Sequence, residues 1–334
     1  MYLLKLVTKK LHQSRCYMRK RKHLAFLFLL FACRTFGQQD DYFSKEPPSN
    51  EPQMFAPGNI SDEFGNRDMA ISPKGDEIFY TLQARNFSAI VYCKKVNGRW
   101  GKPEVAPFSG IYNDLEPTFA ADGSSIYFVS ARPLDESDKQ KDYDVWSVQR
   151  TKDGWAEPKN LGAPVNSDKD EYYPSVAMNG NMYFTRAVDG REEDIMLCKF
   201  SNGSYDTAVS LPNAVNSVND EFNAFIDPEE RYIIFSVYGK KDLGRGDLYI
   251  SKKDDNNNWM PAENLGAAIN SDGLDYCPYV SPDNKYFFFT SNRSDNKAPF
   301  AKQQSMHSLS EMLHSPLNGY DNIYWIKATV ITGK

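Results

Sequence analysis

The sequence predicts an all-β fold, a single five-bladed β-propeller of four-stranded antiparallel blades. Three observations predict it. The chain repeats five times at a period near 50 residues, the mark of a solenoid or propeller. Each repeat carries four strand signals, the content of one propeller blade. The aromatic residues are Phe and Tyr (21 and 20) more than Trp (5), a mix that favours strands. With 334 residues, 41% hydrophobic and 25% charged, the chain is long enough for a sizeable core and too apolar for a disordered polymer.

The first element is a targeting segment, expected over residues 1–37. An apolar run of ten, Leu24 to Cys33, follows Arg19-Lys20-Arg21-Lys22. That run is too short to span a bilayer and has the form of a secretory leader. Met18 is a candidate true start, and Thr35-Phe36-Gly37 offers a cleavage site before Gln38. The alternative is a lipoprotein leader with Cys33 as the acylated residue. Residues 38–51, with Pro47-Pro48-Ser49-Asn50, read as a linker. Export to the periplasm is the expectation, with a lipid-anchored or cell-surface location as the alternative.

The propeller is expected over 52–331. Its five turns are Ser72-Pro73-Lys74-Gly75, Ala121-Asp122-Gly123, Met178-Asn179-Gly180, Asp227-Pro228-Glu229-Glu230 and Ser281-Pro282-Asp283-Asn284. Each leads into a Tyr/Phe-rich strand, such as Ile126-Tyr127-Phe128. The last turn residues are spaced by 48, 57, 50 and 54. Strand A precedes the turn and strand B follows it. Strand C opens with an acidic-apolar signature, as in Asp144-Val145-Trp146 and Asp247-Leu248-Tyr249. Strand D follows Trp100, Trp155 and Trp259 in their repeats. The fifth repeat lacks strand D, and Met54–Ser61 reads like 264–271, so the N-terminal strand is expected to close the last blade. Such closure removes two exposed sheet edges. Cys93, Cys198 and Cys277, an odd and scattered set, read as buried free thiols.

The turn, the Tyr/Phe strand, Ser130-Ala131-Arg132 and Ser291-Asn292-Arg293 after it, and the Asp-x-Tyr of strand C together resemble the TolB-type, WD-like propeller repeat. The resemblance spans all five repeats. Asn318 to Trp325 and the front segment look like exported propellers of Bacteroidetes-type bacteria. The resemblance implies the fold, in a family that hosts envelope scaffolds, binding proteins and a few enzymes.

Two sets of residues are site candidates. Asp114, Glu171, Glu221 and Asp275 share one position at the start of strand A, with Asn66 in blade 1. Either each caps its own D–A loop, or together they ring the channel mouth and hold a cation or a sugar. No cofactor is required, and calcium is the candidate ion. Two residues on, the series Asp68, Glu116, Tyr173, Asn223, Cys277 differs from blade to blade, so no blade-level role explains it. Asp68 and Glu116 form a carboxylate pair suited to acid–base work on a glycoside, and the other reading is polar channel lining. Arg85, Arg132, Arg186 and Arg293 end strand B and are expected to pair with the acidic residues of strand C. The Trp residues are expected to pack between blades.

A long insertion in blade 5, from Arg293 to Asn322, is expected to hold a short helix capped by Ser308 and to cover the channel mouth. His307 and His314 on it are expected to be solvent-exposed.

Composition narrows the function classes. None of the 44 acidic and nine of the 39 basic residues fall in 1–37, so the remainder carries 30 basic against 44 acidic groups, a net of −14. A body that acidic is a poor nucleic-acid binder. Only His307 and His314 follow residue 37, which argues against His-rich metal sites and Ser-His-Asp triads. The leading expectation is a non-enzymatic envelope module that binds a protein or glycan through its long-loop face. The alternative is a glycoside hydrolase or lyase using Asp68 and Glu116. Oligomeric state is open.

Overall fold

Turn chemistry decides where each hairpin closes, and alternation of large apolar side chains decides which strands are buried. A computed structural model of the chain describes residues 42–43, 46–138, 142–188, 193–239 and 245–333. The targeting segment at 1–37 lies outside the described residues.

Strand β1 (Gln53–Met54) comes first in the chain and belongs to the last blade. Blade 1 follows with β2 (Gly65–Ile71), β3 (Glu77–Ala84), β4 (Phe87–Val96), its hairpin extension β5 (Arg99–Trp100), and β6 (Glu104–Val105). Blade 2 has β7 (Asp114–Phe119), β8 (Ser125–Ser130), β9 (Asp144–Thr151), the extension β10 (Gly154–Trp155), and β11 (Lys159–Asn160). Blade 3 has β12 (Glu171–Val176), β13 (Met182–Ala187), β14 (Glu193–Cys198), the small hairpin of β15 (Phe200–Ser201) and β16 (Ser204–Tyr205), and β17 (Val209–Ser210). Blade 4 has β18 (Asp220–Ile226), β19 (Tyr232–Tyr238), β20 (Asp247–Lys252) and β21 (Glu263–Asn264). Blade 5 has β22 (Asp275–Val280), β23 (Tyr286–Ser291), helix α1 (Met306–Leu313) and β24 (Asn322–Lys327), with helix α2 (Thr329–Thr332) after it. The fold is therefore the all-β, five-bladed, four-stranded propeller that the repeats predict.

The N-terminal strand closes the ring as expected. Gln53 pairs Trp325 and Met54 pairs Tyr324, and the Phe55 N–H donates to Ile323 O at 2.8 Å. Strand D differs in detail from the sequence reading. Trp100 and Trp155 lie in hairpins that prolong strand C, and strand D is a two-residue pairing further on.

Strands that short leave part of each strand C edge uncovered, and side chains cover it. The Asn166 amide accepts from Val145 N (2.9 Å) and donates to Val145 O (3.0 Å). Asn216 does the same to Ile195, and Asn270 to Leu248.

The core lies between the blades. Phe79, Phe128, Phe184, Phe235 and Phe288, all on strand B, are wholly buried. Each contributes about 1.5–3 kcal/mol of burial. Trp155 packs against Phe79, Phe108 and Phe119 between blades 1 and 2, and Trp259 joins the cluster between blades 3 and 4. Cys93, Cys198 and Cys277 are free and buried.

The blade 5 insertion differs from expectation. Its helix starts at Met306 with Ser305 as N-cap, and Ser308 is the third helical residue of the capping box. The Ser305 side chain accepts from Ser308 N, so the cap stands three residues before the Ser308 that the sequence predicts. His307 and His314 are exposed.

Candidate functional site at the channel mouth

The five strands A stand around the axis, each touching its neighbours. Each carries one β-bulge, because its register with strand B slips by a residue, as between Arg67 and Ala70 or Leu115 and Thr118. The bulged residue has positive φ in all five: Asp68 (58°), Glu116 (58°), Tyr173 (50°), Asn223 (48°) and Cys277 (51°). Left-handed backbone at residues that are not glycine costs about 1–3 kcal/mol apiece. Such bulges re-aim side chains, and here they direct the variable series to the axis.

Hydrogen bonds from other blades hold the strained backbone. Glu116 N donates to Thr81 Oγ1 (3.0 Å), Asn223 N to Thr185 Oγ1 (3.0 Å) and Asp68 N to Thr290 Oγ1 (3.1 Å). Each hydroxyl belongs to the preceding blade's strand B. Blade 2 has Val129 at that position, and Tyr173 N donates to Glu116 Oε2 instead, at 2.7 Å.

Arg67 sits at the centre of the ring. Its Nε donates to Asp68 Oδ1 (2.9 Å), and its Nη2 donates to Glu116 Oε1 (2.6 Å) and Cys277 Sγ (3.4 Å). The guanidinium lies 5.0 Å from the centre of the Tyr276 ring. Asn223 Nδ2 donates to Glu116 Oε1 (3.2 Å), and Cys277 Sγ to Asp68 Oδ1 (2.8 Å). Burial pushes the Glu116 carboxyl up to about 7, with Arg67 opposing and Asp68 adding. Burial also raises the Cys277 thiol, so it is a poor nucleophile. The Tyr173 hydroxyl crosses the axis to Pro278 O (2.9 Å), and the Tyr279 hydroxyl reaches Ile71 N (3.0 Å) and O (3.1 Å).

Above this ring, on the face of the B–C and D–A connections, a cavity of about 370 Å³ opens. Arg67, Gln83, Glu116, Glu193 and Asn223 are among its polar groups, and Tyr143, Tyr172, Phe222 and Tyr276 form its aromatic wall. The cavity at the other end of the axis shares none of its lining residues.

Of the predicted residues, the structure brings Asp68, Glu116, Tyr173 and Asn223 together, and Glu116 and Asn223 line the cavity. Asp114, Glu171, Glu221 and Asp275 do not line it. They are almost wholly buried at the start of strand A, against the D–A loops. Glu171 accepts from Ser167 N and Oγ and from Arg186 Nε. Glu221 accepts from Ser217 N and Oγ. Asp275 accepts from Ser271 N and Oγ and from Arg293 Nη2. Asp114 accepts from Ser109 Oγ, Ser130 Oγ and Arg132 Nη2. So Arg132, Arg186 and Arg293 pair with strand A, not strand C. The acids of strand C meet strand D instead: Asp144 accepts from Asn160, and Asp247 from Asn264. Arg85 is exposed, one position beyond the register of Arg132 and Arg293. Asn66, in blade 1, donates to Asp62 Oδ1 at 2.8 Å.

The blade 5 insertion does not cover the mouth, since none of its residues line the cavity. It lies against the rim, where Asn318 Nδ2 donates to Glu63 O (2.9 Å). Among the described residues no group of three or more His, Cys, Asp and Glu is arranged to hold a metal ion. No described helix is long and apolar enough to cross a membrane.

Sequence reasoning missed Arg67, Gln83, Tyr143 and Glu193. Arg67 carried a signal: the other blades have Leu115, Tyr172, Phe222 and Tyr276 at its position.

No family model and no curated protein matches this sequence. Solved structures do match. An α-L-arabinofuranosidase from Podospora anserina, crystallised with cellotriose, is 13% identical at a TM-score of 0.51, over 84% of this chain and 97% of that one. TolB from Acinetobacter baumannii is 16% identical at a TM-score of 0.47, over 70% of this chain. The match spans half the length of that TolB. A TolB-like protein from Agrobacterium tumefaciens is 12% identical at a TM-score of 0.45, over 79% of this chain and 90% of that one. At these identities the likeness is one of fold.

Proposed function

We propose that the protein is an exported cell-envelope propeller that binds a glycan at the channel mouth without cleaving it. The carrying observation is the axial cavity, which the polar side chains of Gln83, Asn223, Glu116 and Glu193 line together with four aromatic ones. Sugar rings need that combination: hydroxyls to be bonded and an apolar face to be covered. The volume, about 370 Å³, is in the range of small-molecule sites. Export rests on the leader-like segment before Gln38, with the periplasm as the expected compartment.

The non-catalytic part rests on the carboxylates. A glycosidase pair flanks the scissile bond with the sugar between its members. Asp68 and Glu116 instead share one guanidinium, and Asp68 does not line the cavity. Two observations favour the rival reading: a carboxyl raised to about 7, as at Glu116, suits a general acid, and a second carboxylate, Glu193, lines the same cavity.

Affinity capture from envelope extract, with the mature protein immobilised and both glycans and proteins identified, tests the proposal. Retention of one polysaccharide, with no new reducing ends on prolonged incubation, is the expected result. Release of reducing ends that stops in Glu116→Gln would establish the enzyme. Capture of a discrete protein with no glycan would replace the ligand by an envelope protein partner.

A further inference from the structure

A second cavity of about 780 Å³ lies on the same face, between the loops of blades 1 and 2. Phe87, Ile111, Tyr112, Asn113, Pro133 and Asp138 are among its walls. Ser88 and Tyr143 line both cavities, so the groove runs on from the axial site past the Tyr143 ring. Four exposed apolar groups line it, Phe87 (53% exposed), Val105 (54%), Ile111 (85%) and Tyr112 (43%). An apolar patch of this kind on a polar rim marks a binding surface.

We propose that the axial cavity and this groove form one cleft for an oligosaccharide, with the chain end on the axis and the following sugars across blades 1 and 2. The inference rests on the glycan reading above and adds direction and length. Three observations carry it. First, side chains of Tyr173, Asn223 and Glu116 cross the axis below the cavity, so a chain cannot thread the channel. Only an end enters, and the remainder must leave over the rim. Second, the groove shares a wall with the axial cavity through Tyr143, whose ring lies 5.3 Å from that of Tyr172. Third, the groove suits flat rings better than an extended peptide. Peptides bind such surfaces by pairing with a free strand edge. At β4 that edge is already used, since Ser88 N donates to Asn113 Oδ1 (3.1 Å) and Ile90 N to Ser109 Oγ (2.9 Å). Phe87, Tyr112 and Tyr143 supply flat faces, and Asn86 and Asp138 polar groups beside them. Arg132 lies 5.5 Å from the Tyr112 ring centre and steadies it.

Calorimetric titration of the mature protein with cello-, xylo-, arabino- and chito-oligosaccharides, each from monosaccharide to hexasaccharide, tests this. In the series that binds, affinity rises with chain length and then levels off. Tyr112→Ala and Phe87→Ser, both at exposed positions, weaken the longer ligands by about tenfold, roughly 1.4 kcal/mol, and leave the monosaccharide unchanged. Gln83→Ala weakens every length. Affinity independent of length, with both groove variants behaving as wild type, would overturn the cleft and leave the axial glycan site standing. No binding by any series, together with no polysaccharide retained from envelope extract, would overturn the glycan reading itself.

Discussion

The acidic residues of the D–A loops and those of the axial ring lie on the same strands, two residues apart, yet their surroundings differ in kind. Asp114, Glu171 and Asp275 recur at one position and meet partners from their own blade, a loop Ser and an Arg at the end of strand B. Asp68 and Glu116 do not recur, and apart from Arg67 on Asp68 their side-chain partners come from other blades. Glu116 alone is bonded from blades 1, 3 and 4, through Arg67, Tyr173 and Asn223. A repeated carboxylate is consumed in building its own repeat. An unrepeated one is free to differ, and the other blades of the ring supply most of its partners.

The largest test of that contrast removes Arg67. Arg67→Leu leaves two buried carboxylates without their cation, and breaking such a pair costs about 3–5 kcal/mol. Urea denaturation should show that loss, with binding of every ligand length affected. A small loss would mean that Asp68 and Glu116 relax into other partnerships.

Asp275→Ala breaks the repeated kind of contact. It strands Arg293 and Ser271 in a loop away from the cavity, and the expected cost is about 2–4 kcal/mol with ligand affinity unchanged. A change in affinity at unchanged stability would place the loop carboxylates in the binding site after all.

The pH dependence of stability separates the two regions next. Glu116 titrates near 7 in the folded protein, against 4.5 ordinarily. Between those values the folded state holds a proton that the unfolded chain has released. Stability therefore falls as pH rises through this window and levels off above it. Glu171 and Asp321, also raised by burial, act in the same direction. Denaturation at about pH 5 and pH 8 should show wild type weaker at the higher pH, and Glu116→Gln with less of that difference. An unchanged slope in the variant would remove Glu116 from the account.

The smallest effects come from the hydroxyls that hold the bulges. Thr81→Val and Thr185→Val each remove an acceptor for an axial N–H and should cost about 1 kcal/mol. Ser236 stands at the same position in blade 4, and its buried hydroxyl has no hydrogen-bond partner. Ser236→Ala should be neutral or slightly stabilising in thermal melts, and a loss comparable to Thr81→Val would reveal a partner for it.

Much of this was legible in the chain. Turn residues such as Asp122-Gly123 and acidic starts such as Asp144 locate strands because they act within a few residues of themselves. The bulges left a trace too: Pro117, Pro174 and Pro278 follow the bulged residue in three blades, where a missing N–H costs no ladder bond. The role of the Arg at the end of strand B was only half legible. Its need for a carboxylate is evident from its type, while the choice between strands A and C depends on which loop folds over it. The insertion misled for the same reason, since a helix signal fixes the helix and not the direction in which it leaves the blade.

By itself the sequence determined the blades, their number, and the closing of the last by the first strand, because repeats encode local geometry and each copy reports the same rule. Tertiary structure alone decided which carboxylates were spent within their own blade and which came to line the axial cavity. Arg67 and Cys277, 210 residues apart, meet only when the ring closes. The groove beside them exists only as the gap between two finished blades, and no local rule describes a gap.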